Sequence, residues 1–414
     1  MRIAIIGSGI SGMVAAYLLS RSHDTALYEE KARIGGHTNT VDVETATGSV
    51  PVDTGFIVFN EVTYPNFCEI IRRLGVFSQP TSMSFSMKCE RTGLEYNPRS
   101  LNTFFGQRKN LFSPSFYRMI SEIIGFRREF DRLCEGDDGD LELGQYLGER
   151  GYSRRFIDQF IIPLGSAIWS AEPEGFKRFP LRHFVTFFRN HGFLSVKNPI
   201  TWRVITGGSK EYVKKLTASY ADRVRLNSPV VKVTREQAHV TVEGRDGSRE
   251  RFDHVVIATH SDQALRLLGD PTDAEREILG AIPYQENQAV LHTDASLLPE
   301  RSSLWASWNY LTPKEESGRV AITYNLTIMQ ALEGDEVYCL TLNQPDKIDR
   351  ERVIARITYH HPVYSAEGFA AQKRYAEVGG RNRTHYCGAY WGFGFHEDGV
   401  KSALRACAFF GEKL

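Results

Sequence analysis

Apolar residues open the chain in a short continuous run, Arg2 to Ile6, that predicts a buried strand. From Ile10 to Ser20 they recur at helical spacing, and Thr25 to Tyr28 returns to extended residues, so the first thirty positions predict a strand–helix–strand unit. Alternating runs between Thr38 and Val58 bracket Ala46-Thr47-Gly48-Ser49, a hairpin expected to lead back toward the first strand; a helix follows at Tyr64 to Leu74. A hairpin around Arg91-Thr92-Gly93 then precedes helical patterns at Pro114 to Cys134, Glu142 to Arg150, Arg154 to Ile161 and Leu181 to Asn190. After Gly207-Gly208 the opening pattern resumes, with a helix at Ser209 to Tyr220 and short strands at Val224 to Leu226, Val230 to Thr234, His239 to Glu243 and His254 to Ala258. Residues 282–360 alternate β-rich runs with turns such as Thr312-Pro313 and Glu333-Gly334, and the chain closes with a strand, Thr384 to Cys387, and a helix from Gly399 to Phe410. Segments that leave and return predict one discontinuous domain, 1–80, 201–281 and 371–414, carrying a helical lobe at 81–200 and a sheet lobe at 282–370.

Composition narrows the class. The 414 residues exceed what one hydrophobic core usually serves, and 42% hydrophobic with 24% charged residues describe an ordinary globular chain. Fifty basic residues cancel fifty acidic ones, so no overall field draws in nucleic acid, which is not expected as a partner. Six cysteines, at 68, 89, 134, 339, 387 and 407, show no C-x-x-C spacing, so no metal centre is expected and a reducing compartment is. The apolar start reads as structure rather than an export signal because Gly7, Gly9 and Gly12 punctuate it. No other uncharged run approaches the ~20 residues a bilayer span needs, so the expected location is cytoplasmic or, at most, peripheral to a membrane.

Gly7-Ser8-Gly9-Ile10-Ser11-Gly12 fits G-x-G-x-x-G between a strand and a helix, where glycines admit a tight turn and a pyrophosphate can approach the helix N-terminus. Glu29 lies 22 residues past Gly7, at the end of the second predicted strand, placed to hold ribose hydroxyls; Glu30 follows it. These positions predict a dinucleotide site.

Glu29-Glu30-Lys31-Ala32-Arg33-Ile34-Gly35-Gly36-His37 resembles the E-x-x-x-x-x-G-G-R stretch of the flavin amine oxidase, protoporphyrinogen oxidase and carotenoid desaturase superfamily, with His37 in place of Arg. Val52 to Ile57, Thr206-Gly207-Gly208, Pro229-Val230, Phe252 to His260, Cys387-Gly388-Ala389 and Glu397 to Ala403 resemble further motifs of that superfamily, in its order. The resemblance implies an α/β fold: a discontinuous Rossmann-type FAD-binding domain with an inserted α+β substrate-binding lobe. It implies noncovalent FAD, held by Gly7, Gly9, Ile10, Ser11, Gly12, Glu29, Glu30, Gly35, Gly36, His37, Thr38, Thr54, Gly55, Phe56, Ile57, Val230, Ala258, Thr259, Gly388, Asp398, Gly399 and Val400. Asp398 is expected to cap the closing helix, whose first amides, near Gly399 and Val400, would face the flavin edge that gains charge on reduction.

The reaction this implies is two-electron dehydrogenation by hydride transfer to flavin N5. Amine-oxidising relatives carry a lysine near N5, and no lysine occurs between Lys232 and Lys314, so desaturation of a hydrophobic, lipid-like substrate is expected. The alternatives are an amine or amino-acid oxidase, and a flavin-binding, membrane-associated accessory protein without turnover. Tyr390, Trp391 and His396, in an aromatic loop, are the catalytic candidates. Residues 175–210 hold no acid but seven basic residues and Phe176, Phe179, Phe184, Phe187, Phe188, Phe193 and Trp202; residues 96–121 are similar, with Arg99, Arg108, Lys109 and Arg118. Such interleaving suits anionic lipid headgroups, an amphipathic carboxylate substrate or single-stranded nucleic acid, of which lipid is the natural choice under an FAD fold, and equally a helix with its aromatics in the core. The sequence leaves the oligomeric state open.

Overall fold

The computed structural model describes residues 1–46, 48–135, 141–192, 200–315 and 318–414. Thr47 of the expected turn, Phe193 and Lys197 of the basic aromatic stretch, and the side chain of Cys134 lie outside the described residues. Five parallel strands form the central sheet in the order Val224–Arg225, Asp24–Tyr28, Arg2–Ile6, His254–Ile257 and Thr384–Tyr386. Its strands therefore come from the beginning, middle and end of the chain.

Alternation along Arg2–Ile6 sends Ile3 and Ile5 to one face and Ala4 and Ile6 to the other, all buried. On the Ile3 face the helix Ile10–Leu19 packs against the last helix, His396–Ala408. Small residues, Ala15, Gly399 and Ala403, let the two backbones approach, and the Ser11 hydroxyl donates to the Gly399 carbonyl at 2.9 Å. On the Ala4 face sits a three-stranded antiparallel sheet, Val230–Arg235, Val240–Gly244 and Arg249–Phe252.

A seven-stranded mixed sheet builds the second layer, in the order Val353–Pro362, Tyr284–His292, Cys339–Leu342, Ile322–Asn325, Trp308–Thr312, Phe85–Cys89, Leu94–Tyr96. The early hairpin joins it through a parallel pairing of Phe85–Cys89 with Trp308–Thr312. Over it pack the helices Pro114–Glu135, Leu143–Glu149, Ile162–Trp169 and Leu181–Asn190. Phe176, Phe179, Phe184, Phe187 and Phe188 are all buried in that core, which decides the reading of residues 175–190: the rings face inward.

Three expectations need correction. The hairpin Thr40–Thr45 with Gly48–Asp53 does not lead back toward the first strand but remains a two-stranded ladder. Its end is held instead by Asp53, which accepts from the Ser209 amide (2.9 Å) and hydroxyl (3.0 Å). The helix expected to end at Ile161 runs from Arg154–Phe156 through a π turn, Ile157–Ile161, into Ile162–Trp169. Pro163 marks no stop because it falls in the first turn after the π segment, where its missing N–H costs little. The last helix begins at His396, three residues before Gly399.

Candidate active site

Gly7 ends the first strand with φ +97, and a Cβ added there would lie 2.9 Å from the Ala258 carbonyl oxygen; only glycine fits this turn. Gly12 is constrained more tightly, since its added Cβ would meet the Gly7 carbonyl oxygen at 1.9 Å. Gly9 differs: φ is −64 and an added Cβ would meet nothing within 4 Å, so the backbone there borders open space at the start of the helix. The Gly35-Gly36 turn closes over it, Gly35 donating to the Ser8 carbonyl at 3.0 Å. Glu29 ends the second strand and accepts from the Ser8 amide (3.0 Å), the Ser8 hydroxyl (2.6 Å) and the Lys31 amide (2.9 Å). Glu30 beside it is exposed.

The second glycine turn is stiffened by a residue the motif reading passed over. Arg33 donates to the carbonyls of Gly36 (2.9 Å) and Thr38 (3.0 Å), setting a permanent cation beside the position where His37 replaces arginine. Phe56 donates its amide to the His37 carbonyl at 3.0 Å, which brings Thr54, Gly55 and Ile57 alongside. Ala258 continues the central sheet by donating to Ile6, with Thr259 next; Gly388 donates to the Ser402 hydroxyl at 2.9 Å, Val230 begins the outer antiparallel sheet, and Val400 is buried in the last helix.

His37 points into a chamber built from far-apart segments. Its ring stacks on Tyr359 with centroids 5.1 Å apart and lies 5.5 Å from His361 and 5.8 Å from His260. His260 in turn stacks on Tyr284 at 4.4 Å. The Tyr359 hydroxyl sits between Thr54 Oγ1 (2.9 Å) and Asn39 Nδ2 (3.1 Å), while the Asn287 amide donates to His361 Nδ1 at 2.9 Å. The three histidines are enclosed by protein yet still partly accessible, as side chains lining an internal space are. Burial, reinforced by Lys31 and Arg33, holds His37 down to about 4; burial and His37 itself hold His260 and His361 down to about 3. All three are neutral at pH 7.

The nearby carboxylates are already engaged. Asp398 is the third residue of the last helix rather than its cap residue; it reaches back to accept from the amides of Phe393 (3.0 Å) and Phe395 (3.1 Å). Burial pushes it up to about 6. Glu397 accepts from Asn66 and from the Phe67 amide. The free amides at the helix start belong to His396, Glu397 and Asp398, not to Gly399 and Val400 as the sequence implied.

Two of the three catalytic candidates meet, Tyr390 and Trp391 with ring centroids 5.1 Å apart, and the third stands apart. Tyr390 is buried against the outer antiparallel sheet's core and Trp391 packs edge-on against Tyr375 at 4.8 Å. His396 turns elsewhere, stacked on Phe56 at 3.5 Å with Nε2 2.7 Å from the Tyr212 hydroxyl and 3.3 Å from Thr38 Oγ1. Sequence reasoning missed Tyr284, Tyr359 and His361. The i, i+2 spacing of Tyr359 and His361 on one strand placed them on a common face, but nothing local said which face met Gly36.

An aromatic wall links this region to the helical layer: Trp169 lies 4.5 Å from Phe187, Phe187 stacks on Phe395 at 4.9 Å, and Trp169 Nε1 donates to the Phe393 carbonyl. Beside it opens a cavity of about 460 Å³ lined by Tyr64, His191, Phe393, Phe395 and Asp398, among others. Cys387 is buried with its thiol pushed up, a packing group rather than an attachment point. Among the described residues no metal-ligating cluster occurs and no helix is long and apolar enough to cross a membrane.

The cradle fits FAD: open space over Gly9, glycine turns on either side of it, and an acid at the ribose position. Comparison with known proteins agrees. The sequence profile of the flavin containing amine oxidoreductases matches residues 10–311. A Mycobacterium tuberculosis protein carrying the name flavin-containing monoamine oxidase AofH is 24% identical over 288 residues, 65% of this chain and 59% of that protein. The chain thus matches about three fifths of that relative's length. Among solved structures, a CLA-producing fatty acid isomerase from P. acnes superposes with TM-score 0.71 at 18% identity, covering 99% of this chain and 98% of that one. Putrescine oxidase gives TM-score 0.71 at 14% identity, with 99% of both chains covered. The chain belongs to the flavin-containing amine oxidoreductase family.

Proposed function

We propose that the enzyme dehydrogenates a carbon–carbon bond of a hydrophobic, lipid-like substrate. The observation that carries this reading is that the chamber offers no free carboxylate to an ammonium: its histidines are neutral, the adjacent carboxylates are spent on backbone amides, and the cation beside it, Arg33, is spent on backbone carbonyls. FAD, when bound, supplies the two-electron acceptor. The protein's part is to admit the substrate at the cavity lined by His191, Phe393 and Phe395, to exclude water, and to offer a neutral imidazole as proton acceptor.

A second reading, oxidation of an unprotonated amine, is favoured by the names of the relatives, AofH and putrescine oxidase, more than the lipid reading is. The uncharged rings of Tyr284, Tyr359 and the histidines serve it as well, caging an amine that arrives already deprotonated. Anaerobic mixing of the yellow protein with fatty acyl lipids and with an amine panel separates the two. Bleaching by lipids alone supports the first; bleaching by amines, with peroxide released in air, overturns it for the second.

A further inference from the structure

The two acid-free stretches noted in the sequence part company in the fold. In residues 175–190 the phenylalanines are core, whereas residues 99–124 place large apolar side chains in solvent. Leu101 is 79% exposed and Phe112 87%, and Leu111, Tyr117 and Ile124 are also exposed. Monomeric proteins rarely leave such side chains grouped without a use.

Local packing holds them together. Leu101 opens the short helix Leu101–Phe104, and Phe112 ends the 3₁₀ turn Arg108–Phe112. Tyr117 lies on the first turns of Pro114–Glu135, and Ile124, seven residues on, shares its stripe. Phe105, between the two short elements, contacts Tyr117 with ring centroids at 5.5 Å, and Arg108 bonds back to Asn102. The buried rings of Phe104 and Phe116, 5.1 Å apart, anchor the platform from below.

Around these apolar tips stand Arg99, Arg108, Lys109 and Arg118, all exposed, with no Asp or Glu from residue 96 through 121. Glu95 and Glu122 bound that stretch; Glu95 accepts from the Glu300 amide, and Glu122 is taken by Arg118 and Ser153. Apolar tips ringed by cations match the headgroup region of a bilayer, where rings and aliphatic chains sink to the acyl boundary while guanidinium and ammonium groups meet anionic headgroups. A protein partner of this size would equally cover the apolar tips, but the one-sided charge selects an anionic surface.

We propose that the platform of residues 99–124 docks the enzyme on the surface of an anionic lipid membrane. This surface is separate from the flavin cradle and stands whatever the substrate proves to be.

The test is sedimentation of the full chain, with its FAD bound, on vesicles of phosphatidylglycerol and on vesicles of phosphatidylcholine alone. The expected result is binding at least tenfold stronger to the first, weakened by added salt. It should fall about tenfold or more in Leu101→Ser/Phe112→Ser and in Arg99→Glu/Lys109→Glu, with the flavin spectrum of both variants unchanged to show that they fold. Equal binding to both vesicles, no binding, or full binding by the variants overturns the proposal. So does a self-associating chain that Phe112→Ser turns monomeric without any vesicle binding, which would assign the surface to a second copy.

Discussion

Gly9 and Gly12 stand three residues apart in one motif and obey different constraints. Gly12 is required by the protein itself, since a methyl group there would overlap the Gly7 carbonyl. Gly9 has ordinary backbone angles and free space, so the protein alone tolerates a side chain and the cofactor does not. Gly9→Ala is therefore expected to lower the melting temperature of the apoprotein by no more than about 2 °C, since alanine is the poorer N-cap by under about 1 kcal/mol. It should weaken FAD at least tenfold, read by flavin fluorescence quenching. Gly12→Ala should lower stability itself, by about 2 kcal/mol or more, as overpacking against rigid backbone does. Arg33 gives a second residue-scale outcome. Arg33→Ala removes both carbonyl contacts and the fixed cation by His37, so FAD affinity should fall and its salt dependence lessen. Retained affinity would mean that backbone amides alone hold the diphosphate.

At the scale of elements, the start of the last helix is the joint most exposed to error in reading and most telling in the fold. Asp398 before Gly399 looks like an N-cap, and the true cap position is Phe395, a residue with no capping side chain. The carboxylate compensates from the third helical position by accepting from the amides of Phe393 and Phe395. Asp398→Ala should cost about 1 kcal/mol by leaving those two amides unpaired in a partly buried loop. A melting curve unchanged from that of the parent protein would contradict this role. The same physics sets how far the sequence could be read. Leu181–Asn190 was legible end to end because its apolar positions repeat without interruption, and the opening strand–helix–strand because its glycines and strands agree. The run to Trp169 was not, because a π turn resets the period and hides a helix behind Pro163.

Taken as a whole, the molecule brings positions 37, 54, 260, 287, 359 and 361 into one chamber by pairing strands that lie hundreds of residues apart. Local pattern carries the cofactor motifs, which are contiguous, and carries nothing about such a cluster, which exists only after the sheets have formed. Burial of histidines also marks the molecule's acid response. His292 is held down to about 4 and His385 to about 3, both by burial, and both are enclosed away from the cofactor cradle. Each is neutral in the fold but takes a proton when unfolded below about pH 6.5, so the stability it shares in is complete above that pH and drains as pH falls toward 4. Asp53 and Asp398, pushed up to about 6, act in the opposite sense, losing their contribution as pH rises through that value. The histidines, joined by His37, His191, His260 and His361, outnumber them. Denaturant midpoints should accordingly drop between pH 7 and pH 5, and His385→Gln should flatten that slope. A midpoint that rises on acidification would reverse the assignment.

The most direct test is calorimetric titration of the flavin-stripped full-length protein with FAD, alongside Gly9→Val. The parent protein should take up one FAD per chain, and the variant, equally folded by circular dichroism, should take up none. Uptake by both, or by neither, would show that the turn joining the two ends of the chain does not hold the cofactor.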